Sequence, residues 1–207
     1  MNDHPYAEIE ARDWCELTRR FPGLTEKRVN CKMDGPAPSF FDELVEALER
    51  KDRRGEVILT VRHRDGRLWL HRKAHYPDEA YRLLSGGIKK TESALDAARR
   101  ECWEEVGLEI EPATCLGIIR YQIARNGLSV NFISYVFLLE GSDHTPAPRD
   151  SGEQIVGFRL VEPAQLGQVA DMLRRVPAGW RDWGYFRAIG HEFVAEQLAT
   201  QCRTLGP

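Results

Sequence analysis

The sequence lacks a surplus of basic residues, since 29 Lys and Arg stand against 32 Asp and Glu and the formal net charge is −3. Proteins that bind nucleic-acid backbones or anionic lipid surfaces generally carry a basic excess, so we expect neither kind of partner. No apolar run approaches the roughly 20 residues that cross a bilayer, and the first residues contain neither the basic nor the apolar segment of a secretory signal. We therefore expect a cytoplasmic protein with no membrane partner.

Cysteines are few and scattered, with five in the chain and no Cys-x-x-Cys pair. Their positions are Cys15, Cys31, Cys102, Cys115 and Cys202. An odd number at wide spacing argues against a disulfide framework and against a zinc finger. With 42% hydrophobic and 29% charged residues, the composition is that of a globular protein whose thiols stay reduced.

A helix is predicted over residues 39–53, because Ser39 is a good N-cap and apolar side chains then recur at helical spacing. Those side chains are Phe41, Leu44, Val45 and Leu48. Leaving such a face exposed is costly, so we expect it to pack on the rest of the chain or on a second copy in a homodimer.

The pattern changes from helical to strand-like near residue 56. The predicted elements are a strand at Val57–Val61, a hairpin at Asp65-Gly66, a helix over Thr91–Val106 ended by Gly107, a hairpin at Asn126-Gly127, a strand at Ile155–Val161 and helices near 163–176 and 183–200. This order predicts an α/β (α+β) fold built in layers. We divide the chain into an N-terminal helical extension, residues 1–55, and one domain, residues 56–207.

Three carboxylates crowd one face of the helix that ends at Gly107. At about 100° per residue, Glu101, Glu104 and Glu105 share an arc of about 100°. Such close like charges repel unless a cation neutralises them, and oxygen ligands favour Mg²⁺ or Mn²⁺ over Zn²⁺. The simpler alternative is an acidic helix face exposed to solvent.

The spacing around these carboxylates favours the metal site. From Gly86 to Leu108 the chain reads GGIKKTESALDAARRECWEEVGL, which fits G-x5-E-x7-R-E-U-x-E-E-x-G-U, with U apolar, at all nine specified positions. This segment resembles the Nudix box. The strands before the box and the strand pair and helix after it also resemble the Nudix fold, over roughly residues 56–200.

The resemblance implies a Nudix-type α/β/α sandwich with a mixed sheet. It further implies Mg²⁺- or Mn²⁺-dependent hydrolysis of a pyrophosphate bond in a nucleoside diphosphate linked to another moiety. In the family pattern, Glu101, Glu104 and Glu105 hold the metal, together with a backbone carbonyl at Ser85 or Gly86. Glu101 and Glu105 are therefore catalytic candidates, and Glu92 and Arg100 would form a structural ion pair.

Two further groups are candidates by position. Glu153 precedes the last predicted strand, in a region where many Nudix enzymes place a base or an additional metal ligand; an ordinary loop carboxylate is the alternative. Trp180, Trp183, Tyr185 and Phe186 could stack on an adenine ring or could belong to the core.

No feature of the sequence identifies the nucleotide substrate, and two other functions share the box. A nucleotide-binding sensor of Nudix fold would not need the complete set of glutamates. An isopentenyl-diphosphate isomerase would need a Cys-bearing motif that we do not find. We therefore expect a hydrolase, with a small-molecule nucleotide as substrate.

Overall fold

A computed structural model describes residues 6–36, 39–50, 52–141, 143 and 145–204, within which seven strands form one mixed sheet. The strands are β1 (Glu26–Lys32), β2 (Arg53–Arg62), β3 (Leu68–Lys73), β4 (Leu84–Lys89), β5 (Thr114–Arg125), β6 (Leu128–Glu140) and β7 (Ile155–Val161). Their order across the sheet is β1-β5-β6-β2-β3-β7, and β4 also pairs with β2. β2 runs parallel to β6 and antiparallel to β3 and β4.

Helices cover both faces of this sheet. They are α1 (Ala11–Arg20), α2 (Phe40–Arg50), α3 (Ala94–Val106), α4 (Leu166–Arg174) and α5 (Arg181–Thr204). On β2, Ile58 belongs to the core beneath α2, α4 and α5, whereas Val57 and Leu59 belong to the core beneath α1 and α3. This alternation makes the three-layer α/β/α sandwich that the resemblance implied. None of the described helices is both long and apolar enough to span a bilayer.

Both predicted hairpins are present. Asn126 and Gly127 have φ values of 49° and 81°, the left-handed backbone that a tight turn between β5 and β6 requires. Gly66, with φ of 96°, makes the turn between β2 and β3.

Helix α3 begins three residues later than predicted, because Ser93 caps it. The Ser93 side chain accepts a hydrogen bond from the backbone N–H of Asp96. At the other end Gly107 takes the left-handed conformation, with φ of 77°. The apolar side of α3 is fully buried against the sheet through Leu95, Ala98, Cys102 and Val106.

The N-terminal extension, residues 1–55, was predicted as helical, but it also contains a strand. Residues Glu26–Lys32 form the strand β1, parallel to β5 at the edge of the sheet. Most of its side chains are exposed or half-buried, so its sequence shows little apolar alternation. β2 also begins at Arg53, before the proposed boundary. The division of the chain into two domains at residue 55 stays a prediction.

The apolar face of α2 packs within its own chain. Phe41 and Leu44 are buried in the core shared with α5, and the rings of Phe40 and Phe186 lie 4.9 Å apart. The need to cover this face is thereby met without a second copy. A homodimer stays a prediction that no longer rests on this face.

Candidate active site

The acidic site lies where α3 faces β4. Gly86 of β4 pairs with Val57 of β2, and a Cβ atom placed on Gly86 would overlap the carboxyl group of Glu101. Glycine is therefore required here by close approach of the strand to a buried carboxylate. The structure places the first residue of the box directly against one of its glutamates.

Arg100 joins the charges of the box. Its guanidinium donates to both oxygens of Glu92 at 2.8 Å and to the carbonyl of Gly87 at 2.8 Å. It also donates to Glu101 at 2.7 Å and to Glu104 at 2.8 Å. The pKa of Glu92 is lowered, because Arg100 more than offsets the effect of burial. Arg100 therefore fixes the loop before α3 to the carboxylates on α3.

Glu105 has a different environment. Its side chain is fully buried, and neither carboxylate oxygen accepts a hydrogen bond from any described residue. The nearest cation is Lys73, whose Nζ lies 3.2 Å from Oε1. Burial raises the pKa of Glu105 to about 8, despite the nearby positive charges of Lys73 and Arg82.

Lys73 brings Glu153 to the same place. Its ammonium group forms an ion pair with Glu153 as well as with Glu105, so the two carboxylates share one cation. Glu153 ends a short 3₁₀ helix at 151–153 and remains half-buried. The pKa of Lys73 is raised, because the attraction of Glu105 and Glu153 outweighs the opposing effect of burial. The structure therefore places Glu153, the loop carboxylate singled out in the sequence, next to Glu105 through their shared contact with Lys73.

The residues present fit a hard divalent cation. Glu101 is also buried, and burial raises its pKa although Arg100 opposes the shift. A buried carboxylate without hydrogen bonds is costly, and a bound cation would remove that cost. As the side chains stand, no group of three or more His, Cys, Asp or Glu residues in the described part of the chain is arranged to hold a metal. Arg100 and Lys73 contact the carboxylates instead.

Helix α1 supports the loop of the box, which sequence reasoning missed. Arg12 donates to three consecutive carbonyls, those of Lys90, Thr91 and Glu92, at 2.7–2.9 Å. The contacts join residues about 80 positions apart, and no local pattern in either segment marks them.

Asp13 adds a buried contact to the same support. One of its oxygens accepts a hydrogen bond from the backbone N–H of Ala94, the first residue of α3, at 3.0 Å. The other lies 2.7 Å from a guanidinium nitrogen of Arg54. Arg54 in turn donates to the carbonyl of Glu92 at 2.8 Å. A negative charge at this helix N-terminus is also favoured by the helix dipole.

A buried polar layer holds β4 from the opposite face of the sheet. Arg82 donates to the hydroxyl groups of Tyr76 and Ser85, and Ser85 precedes the box glycine. His191 accepts a hydrogen bond from the backbone N–H of Leu83 at 2.9 Å. Burial lowers the pKa of His191 to about 4, so the ring is neutral and serves the packing of β4.

The four aromatic candidates divide between core and surface. Trp183 and Phe186 are buried in the core, and Tyr185 is exposed. Trp180 is half-buried and borders a cavity, which the buried Trp183 and Phe186 also line. Only Trp180 therefore keeps an accessible aromatic face together with a position on a cavity.

The sequence model of the NUDIX domain family matches residues 52–183, more than half of the chain. Helix α1, strand β1 and helix α2 lie before the matched residues. No curated protein matches the chain significantly.

Several solved structures are similar to this chain. The MutT protein from Methanosarcina mazei Go1 is 14% identical, with 86% of this chain and 99% of that one covered and a TM-score of 0.45. The E. coli dihydroneopterin triphosphate pyrophosphohydrolase is 14% identical, with 64% and 95% covered and a TM-score of 0.45. A MutT NUDIX hydrolase from Burkholderia pseudomallei is 23% identical, with 53% and 83% covered and a TM-score of 0.43.

The family match includes the whole box, from Gly86 to Leu108, and every strand of the sheet except β1. The resemblance inferred from the box is therefore confirmed. The chain belongs to the NUDIX domain family.

Proposed function

We propose that the protein hydrolyses a pyrophosphate bond in a nucleoside diphosphate linked to another moiety, using Mg²⁺ or Mn²⁺ held on α3. The observation that carries the proposal is Glu105, a fully buried carboxylate to which no described residue donates a hydrogen bond. Burying such a group costs stability, and the cost is explained if the carboxylate serves a bound cation.

Glu101, Glu104 and Glu105 would hold the metal, and the carbonyl of Gly86 is the backbone candidate beside them. A bound divalent ion would neutralise phosphate oxygens and lower the pKa of a coordinated water. Arg100 positions Glu101 and Glu104 through its two hydrogen bonds. The box residues thus separate into carboxylates that bind and a guanidinium that orients them.

Glu153 is the candidate for the base that takes a proton from the attacking water. Its shared contact with Lys73 keeps it beside Glu105 while leaving it half-buried and within reach of water. Lys73 is a cation on the same wall of the site and would contact the phosphate oxygens of a bound substrate. A general base must lie within about 3 Å of the water that it deprotonates.

The test is hydrolysis of a panel of nucleoside diphosphate derivatives by the purified protein with Mg²⁺ or Mn²⁺. We expect EDTA to abolish turnover, and Glu101→Gln and Glu105→Gln each to lower kcat by about 10²–10⁴, as for loss of electrostatic or general-base catalysis. A loss of the same size in Glu153→Gln would identify Glu153 as the base.

Glu109→Gln is the matched control, because Glu109 is an exposed carboxylate just beyond the box. Near wild-type turnover in both Glu101→Gln and Glu105→Gln would overturn the catalytic proposal. A nucleotide-binding sensor of the same fold would then be the better explanation.

A further inference from the structure

A cavity of about 370 Å³ opens between α2, the turn after β3 and the beginning of α5. Cavities of this size bind small organic molecules. Aromatic side chains, among them Phe40, His75 and Trp180, make much of its wall, and Arg53, Glu56 and Arg187 supply charged groups. None of these residues belongs to the box, so the cavity is a feature separate from the acidic site.

The aromatic end of the cavity presents accessible rings. Trp180 is half-buried and His75 is exposed, and their ring planes are tilted by only 29° at a centroid distance of 6.2 Å. Tyr76 and Trp183, both buried, back these rings, with Trp180 lying 5.3 Å from Trp183. Rings held in this way form a rigid surface on which a flat aromatic group can stack.

At the charged end two guanidinium groups face one carboxylate, and Glu43 on α2 is the other acidic residue of the cavity wall. Buried Glu56 pairs with Arg187 at 2.8 Å and with Arg53 at 3.2 Å, so two guanidinium groups share one carboxylate. Both arginines keep part of their side chains accessible. This end of the cavity therefore suits an anionic or oxygen-rich group rather than an apolar one.

Arg53 also links the cavity to the box. A Cβ atom placed on Gly87 would lie only 3.2 Å from the guanidinium Nε of Arg53. Gly87 follows Gly86, the glycine packed against Glu101, and the carbonyl of Gly87 accepts a hydrogen bond from Arg100. The arginine end of the cavity therefore lies beside Gly87, the residue that follows the glycine packed against Glu101.

We infer that this cavity binds the planar heteroaromatic ring of a nucleoside phosphate, stacked at Trp180 and His75 with its phosphate end directed past Arg53. The inference rests on the proposed function, which it deepens by naming the part of the substrate recognised outside the box. Phe40 and Glu43 come from α2, which lies wholly before the matched residues 52–183. Ring selection would therefore depend on a segment particular to this chain.

The experiment measures equilibrium binding to metal-free protein by calorimetry, with AMP, GMP, CMP and UMP as probes and ribose 5-phosphate as the probe without a ring. We expect at least one nucleotide to bind about tenfold or more tightly than ribose 5-phosphate. Trp180→Ala should weaken that nucleotide about tenfold, Trp180→Phe should retain most of the affinity, and ribose 5-phosphate should respond to neither.

Tyr185→Ala is the matched control, an exposed aromatic residue on α5 that does not line the cavity, and it should leave binding unchanged. If Trp180→Ala does not fold, as judged by circular dichroism, His75→Ala decides, because His75 is exposed. Equal binding of every nucleotide and ribose 5-phosphate would overturn the inference, as would unchanged affinity in the folded cavity variants.

The inference about the cavity and the proposed hydrolysis can be tested independently of each other. Glu105→Gln should keep nucleotide binding while it loses turnover, because Glu105 does not line the cavity. Nucleotide binding that depends on Trp180, in a protein that hydrolyses nothing on the panel, would support the cavity and contradict the proposed function. If the protein hydrolyses a nucleotide of the panel but the cavity variants bind nucleotides as tightly as the wild type, the proposed function is supported and the cavity inference is contradicted.

Discussion

Two glutamates of the box lie in opposite electrostatic environments. Glu92 lies in the loop before α3, which we call the loop end, and Glu105 lies on α3, at what we call the carboxylate end. At the loop end, Glu92 accepts two hydrogen bonds from Arg100, and its pKa is lowered. At the carboxylate end, Glu105 is buried near one ammonium group without an accepted hydrogen bond from the described residues, and its pKa is raised to about 8. The same residue type therefore stabilises the fold at one end and costs stability at the other.

This contrast separates charges that stabilise the fold from a charge that is available to bind a ligand. The loop end uses charges to fix a backbone that carries no chemistry itself, and α1 contributes to it through Arg12 and Asp13. The carboxylate end keeps a charge in a position that the fold alone does not need. Buried groups with raised pKa values are typical of functional sites. Substitutions at the two ends should therefore change the free energy of unfolding in opposite directions and by different amounts.

The largest loss of stability is expected at the support of the loop end. Asp13→Ala removes a fully buried carboxylate that caps α3 at Ala94 and pairs with Arg54. Because Arg54 would be left without this partner, we expect the free energy of unfolding to fall by about 3–5 kcal/mol. Urea denaturation followed by circular dichroism measures the change.

Arg19→Ala is the control for this substitution, since Arg19 is exposed on the same helix. We expect it to change stability by about 0.5 kcal/mol or less. A loss from Asp13→Ala no larger than that of the control would mean that α1 does not support the loop in solution.

At the carboxylate end, removing a charge should stabilise the protein. In metal-free protein Glu105 has a folded pKa of about 8 against an ordinary value of 4.5, so the folded state binds more protons between these pH values. The wild type therefore loses stability as pH rises through this range, and Glu105→Gln does not. The stability of the variant relative to wild type should rise by about 3 kcal/mol between pH 5 and pH 8.

Urea denaturation in EDTA at the two pH values measures this difference, with Glu109→Gln as an exposed carboxylate control. The control should show no comparable change with pH. A difference between Glu105→Gln and wild type that stays constant from pH 5 to pH 8 would contradict the burial of an ionisable carboxylate at this position.

The parts of the molecule that sequence could predict are those with local signals. The spacing from Gly86 to Leu108 gave the family, and Asn126-Gly127 marked its hairpin because only a few residue pairs adopt that turn readily. The end of helix α3 at Gly107 was predicted correctly, whereas its start was placed at Thr91, before the observed cap Ser93. Each of these features depends on residues close together in the chain.

The parts that sequence could not predict depend on distant contacts. β1 is an edge strand with mostly exposed or half-buried side chains, so apolar alternation is weak there. Lys73 ends β3, and in the sequence alone a lysine at a strand end is equally well explained as a solvated charge. Its contact with Glu105 and Glu153 appears only when the sheet and α3 are assembled. The cavity at Trp180 likewise needs α2 and α5 to meet.

The smallest effect is expected from Glu92→Gln, which sharpens the comparison because its pH dependence has the opposite sign. The substitution keeps the shape of the side chain and removes the charge paired with Arg100, so we expect a loss of about 1–2 kcal/mol near pH 7. Since the folded pKa is below 4.5, the pair contributes above that pH and is lost as pH falls through the folded value. The difference from wild type should therefore shrink toward pH 3, whereas that of Glu105→Gln grows with rising pH. Urea denaturation across pH 3–8, with Glu109→Gln as control, measures both; parallel curves for the two variants would mean that the ends of the box do not differ as the structure indicates.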